Sequence, residues 1–148
     1  MNPVLREIAD LLAAWDTLAP FDPLQVRPAL LPYFYILEVR HDKAEQLRLR
    51  VRLTGTALDR AFGRSLRGQH MEEFLHGPRS QEVLQGFHGC AKDHAPIWMR
   101  QVVEIRDRAP RYVEGVAFFA APNLIYGGLI LGEVIGADDR PGFESCTL

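Results

Sequence analysis

The sequence predicts an α+β fold, with one antiparallel sheet and its helices grouped on one face. Three observations carry the prediction. The run LRLRVRL from Leu47 alternates apolar and charged residues with the two-residue period of a half-buried strand. One long helical stretch follows it, and three strand-length apolar runs separated by short turns follow that. Pro20, Pro23, Pro28 and Pro32 forbid a long helix ahead of the first strand.

The bulk numbers narrow the class. At 148 residues, with 47% hydrophobic and 24% charged residues, the chain matches a single globular domain. A formal charge of −2 with no basic run argues against a nucleic-acid partner. No window holds the roughly 18 uninterrupted apolar residues of a membrane span. The N-terminal stretch carries Glu7 and Asp10 inside its apolar pattern, which fits an amphipathic helix and not a signal peptide. Cys90 and Cys146 do not make a disulfide framework and suit a reducing, cytoplasmic setting.

The elements follow in order. Residues 3–15 place Leu5, Ile8, Leu12 and Trp15 at helical spacing. Asp22 before Pro23 reads as a cap with a first-turn proline, so one or two short turns are expected there. A strand over 33–40 and a hairpin loop over 41–46 lead into the arginine-striped strand from Leu47. That strand breaks at Thr54-Gly55-Thr56 into short helical pieces punctuated by Gly63 and Gly68. A helix over 79–93 begins behind Pro78 and ends before Pro96, with Val83, Phe87, Cys90 and Ala91 as its buried stripe. Strands are expected over 97–107, 111–121 and 124–135. The division is a helix and linker over 1–20, the main domain over 21–136 and a tail over 137–148.

Strand alternation sorts the sheet into two faces. The helix-covered face is expected to collect Tyr33, Tyr35, Leu37 and Val39, then Leu49, Val51 and Leu53. Gln101 joins from the next strand, Gly115 and Ala117 from the fourth, and Tyr126 and Gly128 from the last. This face is apolar apart from Gln101 and the tyrosine hydroxyls, and small residues thin its middle. Small residues at that place either let a helix approach closely or leave room for a ligand. The expected pocket is therefore Tyr33, Tyr35, Phe87, Gln101, Ala117, Tyr126 and Gly128, beneath the central helix. The opposite face collects Phe34, Ile36, Arg48, Arg50, Arg52, Leu129 and Leu131, and needs an amphipathic cover. The first helix and a second copy of the chain are the two candidates. The expected dimer face is Leu5, Ile8, Leu12, Trp15, Phe34, Ile36, Leu129 and Leu131.

The segments FDPLQVRPALLPYFYILEV, LRLRVRLTGTALDRAFGRSLRGQHMEEFL and YVEGVAFFAAPNLIYGGLILGEV carry a likeness. Over residues 21–136 the chain resembles the PAS-type family of small alphaproteobacterial proteins. The shared features are a DPL…LLP lead-in, an R-x-R-L-x-G-T-A-L junction, an F-G-R-x-L-x-G turn and a closing glycine-containing strand. The chain departs from the family before Asp22, where the family carries a longer polar lead-in. The resemblance implies a PAS fold, with a five-stranded sheet in the order 2-1-5-4-3 and an extra helix at the N-terminus. It also implies dimers that meet through the outer face and the leading helix.

Other motifs have ordinary readings. The arginines at 48, 50 and 52 suit a solvated strand face paired with acids such as Glu38. His88 and Cys90 point about 200° apart around their helix, so with His94 they do not form a metal set. His70, His76 and His88 are options for a haem ligand, but each suits a surface histidine better. No nucleophile elbow, phosphate loop or zinc-binding helix motif is present, and no cofactor is assigned. The expected role is a sensory or regulatory module that has room for a small apolar ligand and acts on an unidentified partner protein as a homodimer. The alternative is a small isomerase or hydrolase of an apolar substrate, which needs a carboxylate or histidine facing the cavity.

Overall fold

The computed structural model describes residues 1–15, 20–133 and 144–148. Helix α1 (Pro3–Ala13) is followed by two short 3-10 turns, Pro23–Gln25 and Leu31–Tyr33. Strands β1 (Phe34–His41) and β2 (Leu47–Thr54) form a hairpin. Helices α2 (Thr56–Phe62) and α3 (Met71–Phe74), the two-residue strand β3 (Leu75–His76) and helix α4 (Pro78–Asp93) come next. Strands β4 (Ile97–Ile105), β5 (Arg111–Ala120), β6 (Leu124–Glu133) and β7 (Glu144–Thr147) complete the described chain.

The sheet is antiparallel and open, with seven strands where five were expected. Its order is β2-β1-β6-β5-β4-β3, and β7 also pairs with β4. The two unexpected strands share one edge of β4. Leu75 and His76 pair with Ile105 and Glu104, whereas residues 144–147 pair with residues 97–100. Residues 144–147 of the expected tail are therefore a strand, and residues 134–143 lie outside the described residues.

Local sequence explains the main joints. The Asn2 side chain caps α1 by accepting from the Val4 amide at 2.9 Å, and Pro3 fills the first helical position. Gly55 must be glycine because the 3-10 turn crosses it: a Cβ there would lie 2.2 Å from the Leu31 carbonyl oxygen. The lead-in and the strand-to-helix junction thus meet at one point. Gly63 ends α2 in the left-handed conformation, at φ 74°.

Two cores lie on opposite sides of the sheet. One, beneath α2, α3 and α4, gathers Tyr35, Leu37, Val51, Phe87, Met99 and Val113. The other, beneath α1, gathers Leu5, Ile8, Leu12, Phe34, Ile36 and Tyr126. The first helix therefore covers the outer face within its own chain. Glu114 on β5 anchors its start, because one carboxylate oxygen accepts from the Asn2 amide at 2.8 Å and from the Trp98 indole at 2.9 Å.

Three face assignments are corrected. Strand β6 has the opposite phase: Ile125, Leu129 and Leu131 join the core under α2–α4, while Tyr126 and Ile130 join the core under α1. Both faces of β6 are apolar because both are covered, so alternation carried no phase there. Tyr33 belongs to the α1 side as well, since the 3-10 turn holds it and the strand begins one residue later. On β2 a register shift opposes Ile36 to Leu53 and Leu37 to Val51, which leaves Arg52 as a bulge. Leu53 is consequently exposed and not inward-facing.

The expected dimer face is also corrected. Leu5, Ile8, Leu12, Phe34 and Ile36 are buried within the single chain, and Leu129 and Leu131 pack on the other side of the sheet. Trp15 is half-buried, stacking on Phe21 at 6.0 Å and meeting Tyr126 edge-on at 6.4 Å.

Candidate ligand cavity

A cavity of about 60 Å³ lies between the sheet and helices α2–α4. Leu58, Phe62, Phe74, Val83 and Phe87 wall it from the helices, and Tyr35, Val51, Val103, Val113 and Leu129 from the sheet. The sequence places these walls legibly one at a time: Leu58 and Phe62 are four apart on α2, as are Val83 and Phe87 on α4. Two lining side chains carry oxygen, and both oxygens are already bonded. The Tyr35 hydroxyl donates to the Val116 carbonyl at 2.7 Å, and the Thr54 hydroxyl donates to Asp59. A space lined this way offers water no polar partners and stays dry.

Of the seven residues expected to form a pocket, Tyr35 and Phe87 line this cavity. Ala117 is buried in the same core but away from the opening. Gln101 is 2% exposed and bonded inside the protein, donating to Glu82 on α4 and accepting from the Val102 amide at 2.8 Å. It therefore ties the central helix to β4 and does not orient a ligand in the cavity. Tyr33, Tyr126 and Gly128 lie on the α1 side, away from the cavity.

The thinned stripe across the sheet is filled by close packing. A Cβ at Gly115 would meet Leu129 at 2.8 Å, and one at Gly128 would meet Ile8 at 2.5 Å. A Cβ at Gly127 would meet the Tyr35 hydroxyl at 2.2 Å, so this glycine lets the Tyr35 ring cross β6 and reach β5. Of the two readings of the small residues, close approach holds. The cavity arises instead from α2 and α3, whose docking the sequence does not fix.

Tyr35 and Cys90, the two titratable groups named within this core, are held in neutral forms. Burial, reinforced by the nearby Cys90, raises the Tyr35 hydroxyl well above the ordinary tyrosine value. Burial also pushes the Cys90 thiol up to about 11, against an opposing hydrogen bond with the Phe119 backbone. Beside the cavity wall, Glu72 joins three elements: His88 Nε2 on α4 is 3.1 Å from its carboxylate, which also accepts from the Leu49 amide at 2.9 Å. His94 stacks on Phe119 with ring centres 3.7 Å apart. The three residues weighed as a metal set, His88, Cys90 and His94, thus have separate surroundings.

Arg48 and Arg50 keep the acid pairing expected of them. Arg48 lies 3.5 Å from Glu72 and from Glu73, and Arg50 lies 3.5 Å from Glu38. Among the described residues, no helix is long and apolar enough to cross a membrane. No protein family, curated protein or solved structure matches the chain.

Proposed function

We propose that the chain is a PAS-like sensory or regulatory module that holds a small apolar molecule beneath α2–α4 and passes the change to a partner protein. The observation that carries this reading is the apolar cavity on the helix-covered face. Among the described residues its lining includes no carboxylate, histidine or thiol, and the phenol of Tyr35 is held neutral by burial, so the site favours binding over acid–base chemistry. The strand order supports the family likeness: the five long strands lie β2-β1-β6-β5-β4, with β3 and β7 added at the β4 edge. Architecture alone carries no activity, which is why the cavity bears the argument.

The walls suit a signal. Helices α2 and α3 have seven and four residues, too short to hold together without tertiary packing. A guest larger than the resting cavity displaces these before it displaces the sheet. The displacement reaches the surface through the Glu72 junction with β2 and α4. Output runs through protein contacts on a surface other than the one buried by α1.

Native mass spectrometry of the chain purified from its own host tests the reading. The expected spectrum contains the chain with a retained small apolar molecule, and it also reports the oligomeric state. A bare chain, whose melting midpoint no short apolar compound raises, would contradict the proposal.

A further inference from the structure

On the other side of the sheet, a cleft of about 720 Å³ opens between Pro20–Phe21, the end of β2 and the β5–β6 turn. Its apolar floor includes Phe21, Ile36 and Leu124, and the buried Tyr126 borders it. Its size is that of a small-molecule site, and the polar side chains of Arg52, Thr54, Asp59, Ser65 and Arg67 share the lining with that floor. This cleft and the cavity beneath α2–α4 share one lining residue, Thr54 at the end of β2, and the proposal below does not rest on that cavity.

Two arginines define its chemistry. Arg52 is the bulged residue of β2, and a bulge re-aims a side chain out of the regular alternation. Unlike Arg48 and Arg50, it has no ion-pair partner among the described residues. Arg67 likewise has none, and the backbone holds it beside β2. The Gly68 amide donates to the Val51 carbonyl, and the Val51 amide donates to the Gln69 carbonyl, each at 2.8 Å. Arg52 and Arg67 line both this cleft and an adjoining opening of about 340 Å³, which places them side by side. Tyr126 lines the same cleft as Arg52, and burial raises its hydroxyl above the ordinary tyrosine value against the opposing charge on Arg52.

We propose that the cleft binds a small organic monocarboxylate, with its apolar body on Phe21, Ile36 and Leu124 and its carboxylate held by Arg52 and Arg67 beside the Tyr126 hydroxyl. Guanidinium groups match the geometry of a carboxylate, and the floor removes an apolar body from water. Asp59 also lines the cleft, with its carboxylate engaged by the Thr54 hydroxyl. Among the described lining residues, two arginines set against one aspartate leave a single net positive charge, which suits a monoanion better than a phosphate dianion.

The test is a methyl NMR titration of the whole chain with 2-naphthoate, with 2-naphthamide as the neutral isostere and inorganic phosphate as the bare anion. The expected result is saturable shifts at the Ile36, Leu53 and Leu124 methyls. Naphthamide and phosphate should each bind about tenfold or more weakly. Arg52 and Arg67 are exposed, so Arg52→Gln and Arg67→Gln should leave the rest of the spectrum unchanged while each weakens naphthoate about tenfold. The proposal is overturned by naphthamide binding as well as naphthoate, or by full affinity in the double variant. It is equally overturned by shifts that fall on Leu58 and Val83, or by no saturable shift at all.

Discussion

Gly128→Val probes the seat of α1 on the sheet. Gly128 faces the helix, and a Cβ there falls 2.5 Å from Ile8 Cδ1 and 3.2 Å from both Ile8 Cγ2 and Leu5 Cδ2. Ile8 and Leu5 are 0% exposed, so neither can turn into solvent to make room. Valine suits a strand backbone, so a loss of stability reports the space above the position and not local propensity. Overpacking of this kind costs about 1–3 kcal/mol. Ile8→Ala alone should cost about 2–5 kcal/mol through lost burial and the cavity left behind. In the double variant the valine methyls enter the volume that Ile8 vacates. The combined loss should then fall short of the sum by about 1–2 kcal/mol, as expected of residues in contact. Urea unfolding of the four proteins, read at constant m, measures the cycle. Additive losses, or a neutral Gly128→Val, would refute the packing of α1 over β6.

Three further outcomes follow from named contacts. Ser80 is fully buried, and its hydroxyl donates to the Glu104 carbonyl at 3.2 Å and accepts from the Glu104 amide at 3.0 Å. Ser80→Ala should therefore lower stability by about 1–3 kcal/mol in urea melts, and no change would mean that α4 is not docked there. Burial raises the Glu72 carboxyl, but hydrogen bonds from His88 and from the Glu72 and Leu49 amides outweigh it and hold the group below 4.5. A depressed folded value stabilises the protein above the unfolded value and is lost as the pH falls through the folded one. The stability gap between wild type and Glu72→Gln should thus close below about pH 4.5, and a gap independent of pH would contradict the junction. In native protein at pH 8, iodoacetamide should label the exposed Cys146 and spare the buried Cys90 until unfolding; equal labelling rates would show that the core around Tyr35 is open.

Much of the fold was legible where one face of an element is wet. Alternation in LRLRVRL located β2, and the spacing of Leu5, Ile8 and Leu12 located α1 and its buried stripe. Legibility failed where both faces are dry. LIYGGLIL reads equally well in either phase, and the outcome depends on Gly127 receiving Tyr35 while Gly128 receives Ile8. The bulge at Arg52 was hidden because its cause lies in a register with β1, which a regular alternation does not reveal. Strands β3 and β7 are too short to have a period of their own and exist because the β4 edge accepts them. Within the cavity, Tyr35 and Phe87 were readable from their strand and helix positions. The contributions of α2 and α3 depend on how two short helices dock, and no periodicity encodes that.

On the function proposed above, the space beneath α2–α4 is an apolar binding site and not a packing gap inaccessible to any guest. Engineered apolar cavities of about 150 Å³ stay dry and take up xenon or benzene, and xenon is the smaller of the two probes for a space of about 60 Å³. Methyl NMR spectra recorded under increasing xenon pressure test the claim most directly. Saturable shifts are expected at Val51, Leu58, Leu66, Val83 and Leu129, with the methyls beneath α1 unchanged. Spectra that do not respond at those methyls, or that respond evenly across both cores, would contradict it.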